Sequence, residues 1–238
     1  NAAYKPLLFE VGRIPFPSAG QEQATLDALE AECRSGHIAA LIIEPLILGA
    51  GGMLLYSGTT LARMREICTA HCVLLIADEV MTGFGRTGDK WFGIEHWEVE
   101  PDIMTMAKGI ANGLPMGNTI TTEAIAQGML GQGLTISTFG GNPVACAVGL
   151  AVLDVLQEEG LQAHALQVGQ QLLDGLRDLM TEHPLIGDVR GSGLFLGVEL
   201  VRDRATLEPA DTEASYIVNR LREHGILAGT DGPYHNVI

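Results

Sequence analysis

Long apolar runs are missing from this chain of 238 residues. No stretch reaches the roughly 18 consecutive apolar residues that a membrane-spanning helix needs, so no membrane partner is expected. Basic residues are scarce: 14 Lys and Arg stand against 29 Asp and Glu, for a net charge of −15. Nucleic-acid backbones demand clustered Lys and Arg, and here the basic residues are scattered, so no nucleic-acid partner is expected. The acidity itself reads as solubility. Lysine is limited to Lys5, Lys90 and Lys108, and cysteine to Cys33, Cys68, Cys72 and Cys146. Cys68 and Cys72 stand four apart with His71 between them, but two thiols without a second cluster make a poor zinc site. Packed free thiols and no metal are expected, and reduced cysteines fit a cytoplasmic protein. The opening "NAAYKPLLFE" has neither an initiator Met nor a signal-peptide pattern, and the start is expected to be a cut. What is present is globular: 47% hydrophobic and 18% charged residues, enough to bury a core.

Along the chain, "HIAALIIEP" (37–45) and "CVLLIAD" (72–78) are short apolar runs that read as buried strands. Between them, "TTLARMREICTAH" (59–71) places Leu61, Met64 and Cys68 on one helical face. Strand, helix, strand at this length predicts a parallel βαβ unit. "PDIMTMAKG" (101–109) and "MGNTITT" (116–122) predict further strands, giving an α/β sheet covered on both faces. "PVACAVGLAVLDVLQEEG" (143–160) predicts a helix with Pro in its first turn and Gly after its end. "LQAHALQVGQQLLDGLRDLMTEHP" (161–184) predicts a long amphipathic helix, and "DVRGSGLFLGVELV" (188–201) a hairpin. "DTEASYIVNRLREHG" (211–225) predicts a helix capped by Asp211 and closed by Gly225. Residues 1–160 are expected to form a large domain and 161–238 a smaller α+β domain, incomplete at the N- and C-terminal ends respectively.

The stretch "VLLIADEVMTGFGRTG" (73–88) spells G-x-G-x-x-G at Gly83, Gly85 and Gly88. In a dinucleotide fold the first glycine directly follows the strand and the third opens a helix. Here five residues separate the strand from Gly83, and no helical stripe follows Gly88. A loop needing close backbone approach is the better reading. Ligands of open α/β sheets sit beyond the carboxyl ends of strands, where Asp78 and Glu44 lie. An unpaired carboxylate there needs a partner: Arg86 in a salt bridge, backbone N–H groups in an N-cap role, or a cationic ligand. Lys108 closes the apolar run "IMTMAK", where desolvation turns an amine into a nucleophile. An acid and an amine at neighbouring strand ends suit pyridoxal phosphate. The amine forms a Schiff base with its aldehyde, and the acid keeps its ring nitrogen protonated.

"LLIADEVMTGFGRTG", "PDIMTMAKGIANGLPMG" and "STFGGNPVACAVGLAVL" resemble the class III (ω-amino acid type) aminotransferases of pyridoxal-phosphate fold type I, over nearly the whole chain. The resemblance implies that Lys108 is the Schiff-base lysine and proton shuttle, and that Asp78 binds the pyridine nitrogen. It implies that Val80 packs on the ring face, and that Thr138 binds the cofactor phosphate across the interface of a homodimer with shared sites. Glu44, in "EPLILGAGG", matches a Glu-Pro strand end and would order groups around the ring. The substrates it implies are an amine and a keto acid of the pyruvate, glyoxylate or 2-oxoglutarate type.

Two departures stand out. Many members carry Gln where this chain has Met81, and Met cannot donate a hydrogen bond. Many also carry a Glu switch in the region held here by Ala50 and Gly51. Relative to the family the chain lacks an N-terminal segment, the phosphate-binding glycine/serine loop, the stacking aromatic and the arginine-bearing segment after "NVI". Taken alone, it is expected to hold cofactor weakly or not at all. "FEVGRIPFP" and "EPLILGAGGMLLY" resemble diaminopelargonate aminotransferases. "DKWFGIEHWEVEPDIMTMAKGIANGLPMG" and "GDVRGSGLFLGVELVRD" resemble alanine–glyoxylate aminotransferases, and "TDGPYHN" resembles phosphoethanolamine-type lyases. Two alternatives to amino transfer stay open: phosphate elimination from a phosphorylated amino alcohol, and a non-catalytic fragment that only dimerises. A nucleotide-binding oxidoreductase is not expected.

Overall fold

The computed structural model describes residues 6–7, 9–130 and 137–238. Helix α1 (Glu22–Ser35) places Leu26, Leu29 and Cys33 on one face and ends at Gly36, in the left-handed conformation. Strand β1 (Ala40–Ile43) follows, then a short antiparallel pair, β2 (Ile47–Leu48) and β3 (Leu54–Leu55). Helix α2 (Gly58–Ala70) is capped by Ser57, whose hydroxyl accepts the Thr60 N–H at 3.2 Å. Its Leu61, Met64 and Cys68 are fully buried, each side chain contributing roughly 1.5–3 kcal/mol of burial free energy. Strand β4 (Leu74–Asp78) buries Leu75 and Ala77 completely. Cys33 and Cys68 pack in one apolar cluster with Leu29, Met64 and Val73. Burial pushes the Cys68 thiol up to about 11 and raises that of Cys33, which makes both poor nucleophiles.

Strands β5 (Ile103–Met106) and β6 (Asn118–Thr121) complete a four-stranded sheet of order β1-β4-β5-β6. The β1–β4 and β4–β5 pairs are parallel, and β5–β6 is antiparallel. The expected burial on both faces is corrected at the rims. β1 is an edge strand with Ile42 60% exposed, and β6, Asn-Thr-Ile-Thr in sequence, lies mostly exposed. Asp102 holds the centre from one side. Its carboxylate accepts the Leu75 N–H at 2.7 Å and pairs with Arg65 of α2 at 2.6 Å.

Helix α3 (Glu123–Leu130) precedes α4 (Pro143–Glu158). Asn142 caps α4 by accepting the Ala145 N–H at 2.9 Å, with Pro143 in the first turn. Helix α5 (Leu161–Glu182) packs on a three-stranded antiparallel sheet of β7 (Ile186–Ser192), β8 (Phe195–Asp203) and β9 (Glu208–Pro209). The Arg204 guanidinium donates to the Met180 and His183 carbonyls at the end of α5. Helix α6 (Asp211–Glu223) starts without a side-chain cap: Ala210 holds the cap position and Asp211 is already helical, which corrects the expected Asp cap. Charge near the helix dipole, not capping, is what Asp211 supplies. The final residues lie against β8, where Val198 and Ile238 exchange backbone hydrogen bonds.

The β7–β8 turn rests against α5 at Gly169, where a Cβ would strike the Gly193 carbonyl. Gly169→Ala is therefore expected to lower stability by about 1–3 kcal/mol, despite the better helix propensity of Ala, because backbone cannot yield as a side chain can. Urea unfolding of the two proteins measures this.

Candidate active site

The parallel register of β4 and β5 sets the site. Asp78 pairs with Thr105, and the Glu79 N–H donates to the Thr105 carbonyl at 2.9 Å. Lys108 lies three residues further on, so an acid and an amine emerge at the same end of adjacent strands. Asp78 is half-buried and its Oδ1 accepts the Val80 N–H at 3.1 Å. The Asp78–Arg86 bridge weighed from sequence does not form, and Arg86 lies exposed on the next loop. Lys108 is exposed, which corrects its expected burial at a strand end. It opens a short 3₁₀ turn (Lys108–Ala111) two residues past β5, with a left-handed backbone (φ 48°). Such a conformation costs a non-glycine residue of order 1–3 kcal/mol and is held only where the surroundings impose it. Its Nζ rests against Met81 Sδ at 2.7 Å.

Glu44, just past β1, accepts the Gly49 N–H at 2.9 Å, while the backbone carbonyl of Glu44 accepts the Tyr56 hydroxyl at 2.8 Å. Burial raises the Glu44 carboxyl above its ordinary value, and repulsion from Asp78 and Asp231 adds to this. The Gly49 N–H and Lys108 oppose it. Glu44 and Asp78 both line a cleft of about 340 Å³, with Phe16, Leu41 and Ile43 among its walls. A groove of about 620 Å³ runs between the Gly83–Arg86 loop and α4 and α5. It is larger and is lined by Gly109, next to Lys108, but not by Asp78; the smaller cleft holds Asp78 and Glu44, and Lys108 lines neither.

The acidic pair at the end of β4 divides its labour. Glu79 turns inward and is fully buried. Its carboxylate accepts the Thr82 hydroxyl (2.5 Å) and the N–H groups of Gly93 (2.9 Å) and Ile94 (2.8 Å). Burial raises its pKa, and these three donors pull it back. Sequence reasoning gave Glu79 no role. The available signal is the alternation of the strand itself, which sends consecutive side chains to opposite faces. Within the glycine loop, a Cβ at Gly83 would meet the Glu79 carbonyl at 2.8 Å, and one at Gly85 would meet Gln162 of α5 at 2.7 Å. Close backbone approach, as expected, is what these glycines permit. Thr138 is exposed on the turn before α4, and the structure does not bring it to Asp78 or Lys108 through any hydrogen bond among the described residues. Val80 is half-buried beside Asp78.

The family model "Aminotransferase class-III" matches residues 3–238. The alanine–glyoxylate aminotransferase 2 homolog 2 of Arabidopsis thaliana, named as mitochondrial, is 45% identical over 238 residues, covering all of this chain and 49% of that protein. An amine transaminase from an uncultivated Pseudomonas species, solved in its PLP-bound form, is 38% identical with a TM-score of 0.83. The match covers 92% of this chain and 51% of that one. A phospholyase from Arthrobacter, solved with phosphoethanolamine, is 31% identical with a TM-score of 0.87, over 96% of this chain and 57% of that one. The chain spans about half the length of the curated relatives it matches.

The Glu44 proton is bound more tightly in the folded chain than at its ordinary value of 4.5. Folded protein then binds more protons than unfolded as pH rises from that value, so stability falls across the window and the full penalty persists above it. Glu44→Gln keeps an acceptor for Gly49 and should flatten this fall without loss of stability at neutral pH. Urea midpoints of both proteins between about pH 4 and pH 8 test the sign.

Proposed function

We propose that this chain, which belongs to the class III aminotransferases, carries the reacting amine and the ring-nitrogen acid of a pyridoxal-phosphate-dependent aminotransferase. One observation carries this reading. Asp78 and Lys108 leave the same end of two parallel strands, and neither forms a salt bridge among the described residues. A half-buried carboxylate without a cation is costly, and a protonated pyridine nitrogen is a cation of the right shape for that position. The residues present therefore fit the cofactor.

When bound, pyridoxal phosphate supplies the electron sink for charge that develops at the substrate carbon. Asp78 would hold the proton on the ring nitrogen. Lys108 would tether the cofactor before the amine arrives and then, released, move a proton as general base. Val80 would pack on the ring face, and Glu44 would order the groups around it. Thr138 would bind the phosphate of a neighbouring subunit's cofactor. Its exposure, the 81% exposed Phe139 beside it, and exposed Val144 and Leu150 on α4 support a homodimer with shared sites. The substrates would be an amine and a keto acid of the pyruvate, glyoxylate or 2-oxoglutarate type, and the free cysteines support a reducing, cytoplasmic setting. A phospholyase among the structural neighbours favours one second reading, release of phosphate from a phosphorylated amino alcohol on the same residues.

Borohydride treatment with excess pyridoxal phosphate should leave the cofactor fixed on the peptide of Lys108, found by peptide mass mapping, and not on that of Lys90. Trapping on Lys90 alone would sink the reading. Lys108→Ala should lower keto-acid-dependent amine transfer on the order of 10²–10⁴-fold, the usual weight of a positioned proton carrier. Asp78→Asn should weaken cofactor binding roughly ten- to hundredfold, as loss of a charge-assisted hydrogen bond does. Inorganic phosphate released without a keto acid would favour the elimination reading.

A further inference from the structure

Met81 stands three residues beyond Asp78, and its sulfur lies 2.7 Å from Lys108 Nζ. This is the contact that the Lys108 side chain makes among the described hydrogen bonds. The thioether does not swing freely. Met81 is half-buried and packs against a buried cluster made of Leu46, Ile47 of β2 and Phe195, which opens β8 and is 5% exposed. The Phe195 ring lies close against Gly49, where a Cβ would meet it at 2.9 Å. The Lys108 backbone is strained, since its left-handed φ of 48° is one that a non-glycine residue rarely adopts. A packed sulfur and a strained turn therefore converge on one amine nitrogen.

We infer that Met81 is a positioning residue for Lys108, its thioether marking the place where the amine rests when it is not bonded to cofactor. A sulfur accepts hydrogen bonds weakly. The amine is thus directed without being held, which suits a group that must leave and return. A Gln at this position presents an amide oxygen, a stronger acceptor that would hold the ammonium longer. A Leu keeps the volume and the packing on Phe195 but offers no lone pair. The inference rests on the reading of Lys108 as the reacting amine.

The test uses the chain's small number of lysines. The purified protein, free of cofactor, is labelled with trinitrobenzenesulfonate, and peptide mass spectrometry follows Lys108 against exposed Lys90 as internal reference. Met81→Gln should slow Lys108 labelling relative to Lys90 by about three- to tenfold, the span of an ordinary hydrogen bond's net strength. Met81→Leu should speed it by about two- to threefold, as loss of a weak acceptor allows. Circular dichroism and thermal midpoints establish that each variant is folded, and the volume-conserving Leu keeps the test decisive if the Gln protein is not. Equal labelling ratios in the folded proteins overturn the inference, and so does faster labelling in Met81→Gln. Failure of the aminotransferase reading has a different signature: in the unsubstituted chain the cofactor is trapped on Lys90 and not on Lys108, whatever the Met81 variants do.

Discussion

The buried carboxylate of Glu79 is the constraint on which the site depends. Its backbone N–H ties the end of β4 to Thr105 of β5, and its side chain gathers Thr82, Gly93 and Ile94 from the loop that follows. Three donors converge on one acid that has lost its water, and each would be orphaned if the acid were removed, at about 1–3 kcal/mol apiece. The strand end, the glycine loop and the turn at residues 93–97 therefore move as one piece. Asp78, its neighbour in sequence, inherits a fixed position facing the cleft while taking no part in the network.

That separation explains why two adjacent acids can behave so differently. Glu79 is satisfied entirely by the protein, and its surroundings leave no room for a ligand. Asp78 has one backbone donor and an open side, and it shares its cleft with the carboxyl of Glu44, whose proton affinity its charge helps to raise. Two acids facing a cleft with a single amine nearby make a field that attracts cations. The one described contact of that amine is a sulfur, not a carboxylate. Asp78 and Lys108 form no ion pair among the described residues, whereas Arg65 pairs with Asp102, and Arg190 with Asp188 and Glu199 in β7 and β8.

Much of this is legible in the sequence where local periodicity and local chemistry agree. The helical face of Leu61, Met64 and Cys68, the parallel unit it bridges, and the Asn142-Pro143 start of α4 all follow from short-range pattern. Asp78 and Lys108 are legible as chemistry, because an acid and a rare lysine at strand ends are unusual. The environment of Lys108 is not legible, because exposure depends on which neighbours cover a turn, and an apolar run before it says nothing about that. Ile42 misleads for a related reason: a β-branched run reads as buried, but a strand at the sheet edge has cover on fewer sides. Asp211 shows the limit of capping rules, since a one-residue shift of the helix start changes a cap into a first-turn charge. The inward turn of Glu79 needed the register of the strand, which sequence alone does not fix to a single residue.

The glycine loop connects these observations to the C-terminal part of the chain. Gly83 and Gly85 let the loop lie flat on Glu79 and on α5, and the β7–β8 turn then closes against it. There the Ser192 hydroxyl donates to the Thr87 carbonyl at 2.7 Å, and the Leu194 N–H to that of Arg86 at 2.8 Å. Phe195, the next residue, belongs to the buried cluster against which Met81 packs, and the Met81 sulfur in turn touches Lys108 Nζ. A motif that spells nucleotide binding thus serves to dock one sheet on another. The docking places an aromatic ring behind the sulfur that the amine touches. The position of the Lys108 amine is in this way tied to both sheets, not only to the strand that precedes it.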